Sequence, residues 1–243
     1  SDLTIRETEL RNRVVISPMQ EYAAGADGIA RDFHLVHLGR FAMGGAGLVF
    51  TEALAVAPEA RLTYSDLGIW SDDQVPALAR IASFIREQGA VPGAQILHAG
   101  RKASVQRPWH GYEPLGPVDV TERGEAPWET VGPSSVPAME GWPAPRELTS
   151  QECVAIVEAH AAGARRCREA GFDVLNVHGA HGYLIHSFLS PLSNERKDAY
   201  GGNRDGRMRL ALEIAEAVRG EWPSDRPIFY RLSCVEDRKS TRL

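Results

Sequence analysis

Five short apolar segments, separated by helical stretches, constrain the fold of this chain more than any other feature. The segments lie at 14–16, 47–51, 91–97, 174–177 and 228–232. Short apolar runs are typical of strands buried on both faces of a parallel sheet, and 14–16 is predicted to be the first of these buried strands. Helices are predicted at 32–42, 71–89, 149–170 and 207–221. This alternation predicts an α/β fold made of βα units.

Capping boxes mark the starts of two of these helices. Ser71 is followed by Gln74, and Thr149 by Glu152, so each pair can satisfy free backbone N–H groups reciprocally. The segment 101–147 has no clear periodicity, and a loop of this length in a compact domain is usually functional or disordered. Its large aromatic residues favour a packed excursion: Trp109, Tyr112, Trp128 and Trp142.

Candidate functional residues follow the predicted strands. They occur at 17–20, Glu52, 95–98 and 178–183. The carboxyl ends of parallel strands form the active-site edge both of TIM barrels and of open doubly wound sheets, so both folds fit this pattern. The glycines at 44–47 precede their strand rather than follow it, so they are not a dinucleotide-binding fingerprint.

The densest of these groups contains His178, His181 and Tyr183. Two imidazoles can hold a carbonyl oxygen with two donors, and a phenol can offer a proton. On spacing alone, such a histidine pair is often structural or half of a metal site. Zinc would need a third ligand, such as Glu195 or His186, but the spacing matches no standard zinc motif. No metal is therefore assigned.

The bulk composition narrows the class of protein. The 243 residues suit one large α/β domain or two small ones. A net charge of -5 argues against nucleic-acid binding, and no apolar run approaches the roughly 18–20 residues of a membrane span. No signal peptide is visible, and the three cysteines lack framework spacing, so a reducing, cytoplasmic setting is predicted.

Several segments, in order and in register, resemble the old yellow enzyme family of FMN-dependent ene-reductases, most closely its thermophilic-like bacterial branch. The resemblance covers residues 3 to 235, and the segments that carry it are 11–19, 32–39, 45–49, 95–103, 178–194 and 200–202. It implies a (β/α)8 barrel, of which 1–243 is one domain holding only the first five βα units. The chain is therefore expected to be truncated at its C-terminus, with 238–243 foreign to the family and the FMN phosphate site missing.

The resemblance also implies a chemistry and its catalytic residues. NADPH or NADH reduces non-covalently bound FMN, which then reduces a small-molecule activated alkene conjugated to a carbonyl or nitro group. His178 and His181 would hydrogen-bond the carbonyl or nitro oxygen, as an oxyanion hole does. Tyr183 would donate the proton to the α-carbon, and Tyr22 would line the substrate pocket. The full-length parent is expected to be a homo-oligomer.

The residues that the resemblance assigns to the flavin ring are Ser17, Pro18, Met19, Gln20, Ala53, Gln95 and Arg231. Gln95 would bond the pyrimidine edge, and the fixed charge of Arg231 would favour the anionic reduced flavin. Gln20 departs from the family, because this branch has cysteine there and the classical branch threonine. It puts the tuning of the flavin potential in doubt.

Two other functions stay open. One is a non-catalytic barrel fragment without bound flavin, since an unclosed barrel leaves two sheet edges uncovered. The other is a metal-dependent hydrolase that uses His178 and His181. The first would be colourless and prone to associate, and the second would lose activity to a chelator.

Overall fold

The computed structural model describes residues 1–234, in which α-helices flank a five-stranded parallel sheet. The strands are β1 (Leu3–Ile5), β2 (Thr8–Leu10), β3 (Val15–Ile16), β4 (Leu48–Ala55), β5 (Val91–Leu97), β6 (Val131–Gly132), β7 (Arg146–Glu147), β8 (Val174–Gly179) and β9 (Ile228–Leu232). The α-helices are α1 (Asp32–Met43), α2 (Val75–Glu87), α3 (Pro117–Arg123), α4 (Ser150–Glu169), α5 (Leu184–Leu189) and α6 (Arg204–Glu221). The prediction for 238–243 lies outside the described residues.

The strand order decides between the two folds that the sequence pattern left open. The sheet runs β3-β4-β5-β8-β9, with every adjacent pair parallel. Each strand lies beside the next one along the chain, whereas the order of a doubly wound sheet reverses at a switch point. The sequential order with intervening helices is that of a (β/α)8 barrel. The described residues form five consecutive strands of such a barrel, here called the half-barrel, as predicted.

The strand predicted at 14–16 is confirmed as β3, but the prediction that it is buried is wrong. Val14 is 56% exposed and Val15 is 44% exposed. The physical reason is position, because within residues 1–234 β3 is the edge of the sheet and pairs only with β4. At the opposite edge, Leu232 at the end of β9 is 52% exposed. In the part of the chain that the structure describes, both edges of the half-barrel therefore present apolar side chains and unpaired strand groups.

The main core lies between the sheet and the helices outside it, where Ile96 of β5, Phe172 and Ile214 of α6 are fully buried. The antiparallel β1–β2 hairpin was not predicted from the sequence. Its Leu10 packs with residues at the starts of β4 and β8, so the hairpin covers the N-terminal end of the sheet. The opposite, C-terminal end is left for the candidate site.

The predicted helices are confirmed with shifts of a few residues. Thr149 and Glu152 form the reciprocal capping box at the start of α4. The last helix begins at 204 rather than 207, because the side chain of Asn203 accepts a hydrogen bond from Gly206 N at 2.9 Å. In the excursion 101–147, the pattern gave no sign of α3 or β6. No helix within residues 1–234 has the length and apolar character needed to cross a membrane.

A buried histidine in α4 makes the stability of the fold depend on pH. His160 is fully buried, its Nδ1 atom lies 2.8 Å from Ile156 O, and burial lowers its pKa from 6.5 to about 4. Between these values the unfolded chain binds a proton that the folded chain does not. The free energy of unfolding therefore falls as the pH decreases from about 6.5 to about 4.

We expect His160→Leu to lose less stability than the parent chain between about pH 7 and pH 5, because the variant has no buried imidazole to protonate. Urea denaturation at the two pH values measures the difference. Equal losses in the two proteins would show that His160 does not contribute to the acid sensitivity.

Candidate functional site

A pocket of about 160 Å³ opens at the C-terminal end of the half-barrel strands. Its lining is Pro18, Gln20, Ala53, Leu62, Gln95, Leu97, His178, His181, Tyr183 and Arg231. The structure thus brings together most of the predicted site residues from five separate strands or the loops after them. Three predicted residues do not line it: Ser17, Met19 and Tyr22. Met19 is 53% exposed beside the edge strand β3.

The rings of His178, His181 and Tyr183 meet at this pocket. The ring centroid of His178 lies 4.9 Å from that of His181 and 5.0 Å from that of Tyr183, at interplanar angles of 79° and 90°. The chain turns sharply at the end of β8, where His181 has φ 59° and Tyr183 N donates to Ala180 O at 3.2 Å. Because of this turn, the rings of His178, His181 and Tyr183 all face the pocket.

Burial sets the protonation states of these rings. The pKa of His178 is held well below its usual value by desolvation and by the charges of His181 and Arg231. The pKa of His181 is lowered for the same kind of reason. His178 Nδ1 accepts a hydrogen bond from Ala180 N at 3.2 Å, so the proton of the neutral ring is placed on Nε2. Both imidazoles are therefore neutral at physiological pH, and each can donate one N–H.

Tyr183 can act as a proton donor only if its phenol stays protonated, and its surroundings keep it so. Desolvation, followed by the neighbouring Tyr112 and Tyr22, raises the pKa of its phenol well above the usual value. The group stays protonated at neutral pH and can act as a hydrogen-bond donor or a general acid. Two neutral N–H donors and one phenolic proton therefore face the same pocket.

The side of the pocket formed by β5 and β9 carries amide and guanidinium groups. Gln95 is 2% exposed, and its Nε2 donates to Asn176 Oδ1 at 3.0 Å. Gln20 Nε2 is buried and makes no hydrogen bond within residues 1–234, although it lies near the Asp66 carboxyl. A buried amide donor without a partner is costly unless a ligand satisfies it. Together with Arg231, these groups fit the polar edge of a flavin ring.

Two buried carboxyl groups support the loop that follows β3. Glu52 lies at the middle of β4, 3.2 Å from His34 Nε2, and accepts a hydrogen bond from Glu21 N at 3.3 Å. Burial and the nearby Asp66 raise the pKa of Glu52 well above its usual value. The sequence pattern placed Glu52 just after a strand, and this placement is wrong. Glu52 lies inside β4 and anchors the loop that carries Gln20.

Two residues near the pocket were not predicted from the sequence. The Lys102 Nζ atom donates to His181 O at 2.7 Å, and burial, followed by the nearby Tyr112, raises the pKa of both Tyr22 and Tyr183. Both residues come from the excursion after β5, which lacks periodicity. Nothing in the residue types of such a segment predicts that a lysine and a tyrosine lie close to residues 70 or more positions away in the sequence.

Within residues 1–234, no group of three or more histidine, cysteine or acidic side chains is placed to hold a metal ion. The two further zinc ligands considered from the sequence do not join the pair. Neither Glu195 nor His186 lines the pocket, and His186 Nδ1 accepts a hydrogen bond from Gly182 N at 2.7 Å.

A family model described as "NADH:flavin oxidoreductase / NADH oxidase family" matches residues 2–242. A protein named NADPH dehydrogenase from Geobacillus thermodenitrificans is 41% identical over 237 residues, which are 97% of this chain and 63% of that protein. A protein named NADH:flavin oxidoreductase from Gibberella zeae is 41% identical over 235 residues, 96% of this chain and 56% of that one. The chain spans about three-fifths of the length of the curated relatives it matches.

Solved structures agree with these sequence matches. Morphinone reductase superposes with a TM-score of 0.80 at 28% identity, covering 95% of this chain and 60% of that one. The old yellow enzyme from a Pichia species superposes with a TM-score of 0.82 at 27% identity, covering 95% and 58%. The half-barrel described here thus corresponds to part of a closed barrel in both.

Proposed function

The chain belongs to the NADH:flavin oxidoreductase / NADH oxidase family, and from that membership we propose that its site reduces the C=C bond of α,β-unsaturated carbonyl or nitro compounds. The proposed cofactor is non-covalently bound FMN, and the proposed hydride donor is NADPH or NADH. The chain spans about three-fifths of the length of its relatives, so the activity is proposed from the residues of the site and not from the relatives' names.

One observation carries the proposal. Two neutral imidazoles and a protonated phenol, those of His178, His181 and Tyr183, meet at a pocket whose other side carries Gln95 and Arg231. A pair of N–H donors suits an oxygen that gains negative charge, and a phenol suits proton donation. A flavin that transfers hydride needs both from the protein around its substrate.

Each residue then has a role at a stated atom. The Nε2–H of His178 and an N–H of His181 hydrogen-bond the carbonyl or nitro oxygen and stabilise the charge that develops there. The Tyr183 hydroxyl gives its proton to the α-carbon. Gln95, Gln20 and Arg231 would hold the polar edge of the ring, and the backbone at Pro18 and Ala53 would lie against it. Bound FMN supplies hydride acceptance from NAD(P)H and hydride delivery to the β-carbon.

The second candidate function, a non-catalytic barrel fragment, also has an observation in its favour. Val15 and Leu232, at the two edges of the half-barrel, are 44% and 52% exposed. Uncovered apolar edges promote association, and none of the predicted flavin residues addresses the phosphate. The two candidates share the same pocket residues and differ in their affinity for FMN, which the non-catalytic fragment would not bind.

Purified chain supplied with FMN should oxidise NADPH when an enone such as 2-cyclohexenone is added. Cyclohexanone is the matched control, because it offers the same carbonyl to the histidines but no alkene. Oxidation that depends on the enone alone supports the proposed reaction. Equal rates with both ketones, or none with either while FMN is bound, would reject it.

A further inference from the structure

The turn that joins β8 to α5 carries both His181 and Tyr183, and its backbone adopts a conformation that few residues tolerate. His181 has φ 59° and Gly182 has φ 74°, so two successive residues lie in the left-handed region. A residue other than glycine rarely adopts this conformation and keeps it only where surrounding contacts hold it. The contacts that hold the turn therefore decide where the two side chains point.

Three side chains from outside the turn bind its backbone. Lys102 Nζ donates to His181 O at 2.7 Å, and His181 N donates to Ser233 Oγ at 3.1 Å. Gly182 N donates to His186 Nδ1 at 2.7 Å. These side chains come from the segment after β5, the segment after β9 and helix α5. Three successive polar groups of the turn are thus fixed by three different parts of the half-barrel.

The bond from Gly182 to His186 resembles half of a capping box at the start of α5. Tyr183 is the N-cap residue, and His186 is the third residue of the helix. In a capping box, the side chain at this third position accepts a hydrogen bond from the N–H of the N-cap residue. Here Tyr183 N donates to Ala180 O, and the imidazole reaches one residue further back. One ring therefore joins the helix to the turn.

This bond requires a neutral imidazole at His186. Its Nδ1 atom accepts, so the proton of the neutral ring is placed on Nε2. The side chain is buried, and desolvation, followed by the charges of Lys102 and Arg101, lowers its pKa. His186 does not line the pocket, so it can act on the site only through the backbone that it holds.

We propose that His186 is a positioning residue that sets the directions of His181 and Tyr183 by holding the N–H of Gly182, the residue between them. This role rests on the proposed function, in which these two side chains bind the substrate oxygen and protonate the α-carbon. Loss of the acceptor removes one of the bonds that keep the turn left-handed. A displacement of about 1 Å in reacting groups can lower a rate by about 100-fold, so the loss should be visible in catalysis.

The hydrogen bond itself is testable without flavin or substrate, through exchange of the Gly182 amide proton with solvent. Purified chain labelled with ¹⁵N-glycine reports this exchange. We expect His186→Leu, which stays apolar and buried but has no acceptor, to speed the exchange by about tenfold. His186→Asn should keep the exchange close to that of the parent, because its Oδ1 atom is bonded to Cγ as the Nδ1 atom of histidine is.

His160→Leu is the matched control. His160 is also a buried helical histidine with a lowered pKa, and its Nδ1 atom lies 2.8 Å from Ile156 O within α4. The same substitution there removes a buried imidazole without removing a bond to the turn, so the Gly182 exchange should not change. Parent-like exchange in His186→Leu, or equally fast exchange in His160→Leu, would overturn the proposal.

A second variant keeps the test decisive if His186→Leu does not fold. His186→Gln carries an acceptor one bond further from the backbone than His186→Asn does, so it should show the fast exchange that the asparagine variant avoids. Equal exchange in the glutamine and asparagine variants would then count against a bond that depends on the position of the acceptor.

A turnover measurement separates positioning from a general loss of structure. With FMN bound, His186→Leu should lower kcat/KM for an enone by about 10- to 100-fold, and His186→Asn should restore most of it. Flavin reduction by NADPH should keep its rate in both variants. Equal losses in the two variants, or equal slowing of flavin reduction, would contradict the positioning role. A parent chain with no enone turnover would instead reject the proposed function, and the amide exchange would still decide the role of His186.

Discussion

Tyr183→Phe should slow reduction of the alkene by about 100- to 10,000-fold, the range that a positioned general acid contributes. The change removes one oxygen and keeps the ring that packs at 5.0 Å from His178, so the pocket shape is preserved. Reduction of the flavin by NADPH needs no proton from Tyr183 and should keep its rate. Stopped-flow absorbance resolves the two half-reactions.

The control is Tyr64→Phe, whose hydroxyl donates to Ala126 O at 2.9 Å outside the pocket lining. It should leave both half-reactions unchanged. Equal slowing of the two half-reactions in Tyr183→Phe would mean that the phenol supports the flavin site in general and is not the proton donor.

The double change His178→Ala and His181→Ala should lower enone kcat/KM by about a thousandfold, because removing one oxyanion-hole donor typically costs about 100- to 1,000-fold. The same change should weaken binding of a phenol such as 4-hydroxybenzaldehyde, whose oxygen would occupy the position of the substrate oxygen. Enone kinetics and a ligand titration measure the two effects. Bound flavin should be retained, since Gln95 and Arg231 are intact.

Two neighbouring histidines of this chain serve as controls. His98 and His160 are buried with lowered pKa values but do not line the pocket. A conservative change such as His160→Gln should leave the enone kinetics unchanged. If the double variant at 178 and 181 kept the parent kinetics, the assignment of the substrate oxygen to these two rings would be wrong.

The sequence predicted best those site residues that are close to one another along the chain. His178, His181 and Tyr183 lie within one turn, so recognising the strand that ends there was enough to place them together. Gln95 was predictable in part because it belongs to a polar group at the end of an apolar strand, and the carboxyl ends of such strands meet on one edge. Arg231 was assigned only by the family resemblance. The sequential strand order itself required the structure, since periodicity alone fitted two folds.

The parts that could not be predicted depend on contacts between distant segments. Val14 and Val15 are apolar enough for an interior strand, and only the position of β3 at the sheet edge exposes them. Tyr112 sits in an aperiodic loop, and its left-handed backbone cannot be read from residue type. Tyr22 was predicted to line the pocket, but it lies outside the pocket lining and its ring stands edge-on to Trp109 of the same loop, with centroids 6.1 Å apart.

The most direct test of the central claim is a titration of the purified chain with FMN, followed by flavin absorbance and fluorescence quenching. We expect saturable one-to-one binding, which weakens when Gln95→Leu removes the buried amide beside Asn176. An unchanged titration in Ser83→Ala, an exposed position on the outer helix α2, confirms that the loss is specific. No saturable binding by the parent chain would contradict the account and leave the non-catalytic fragment as the better description.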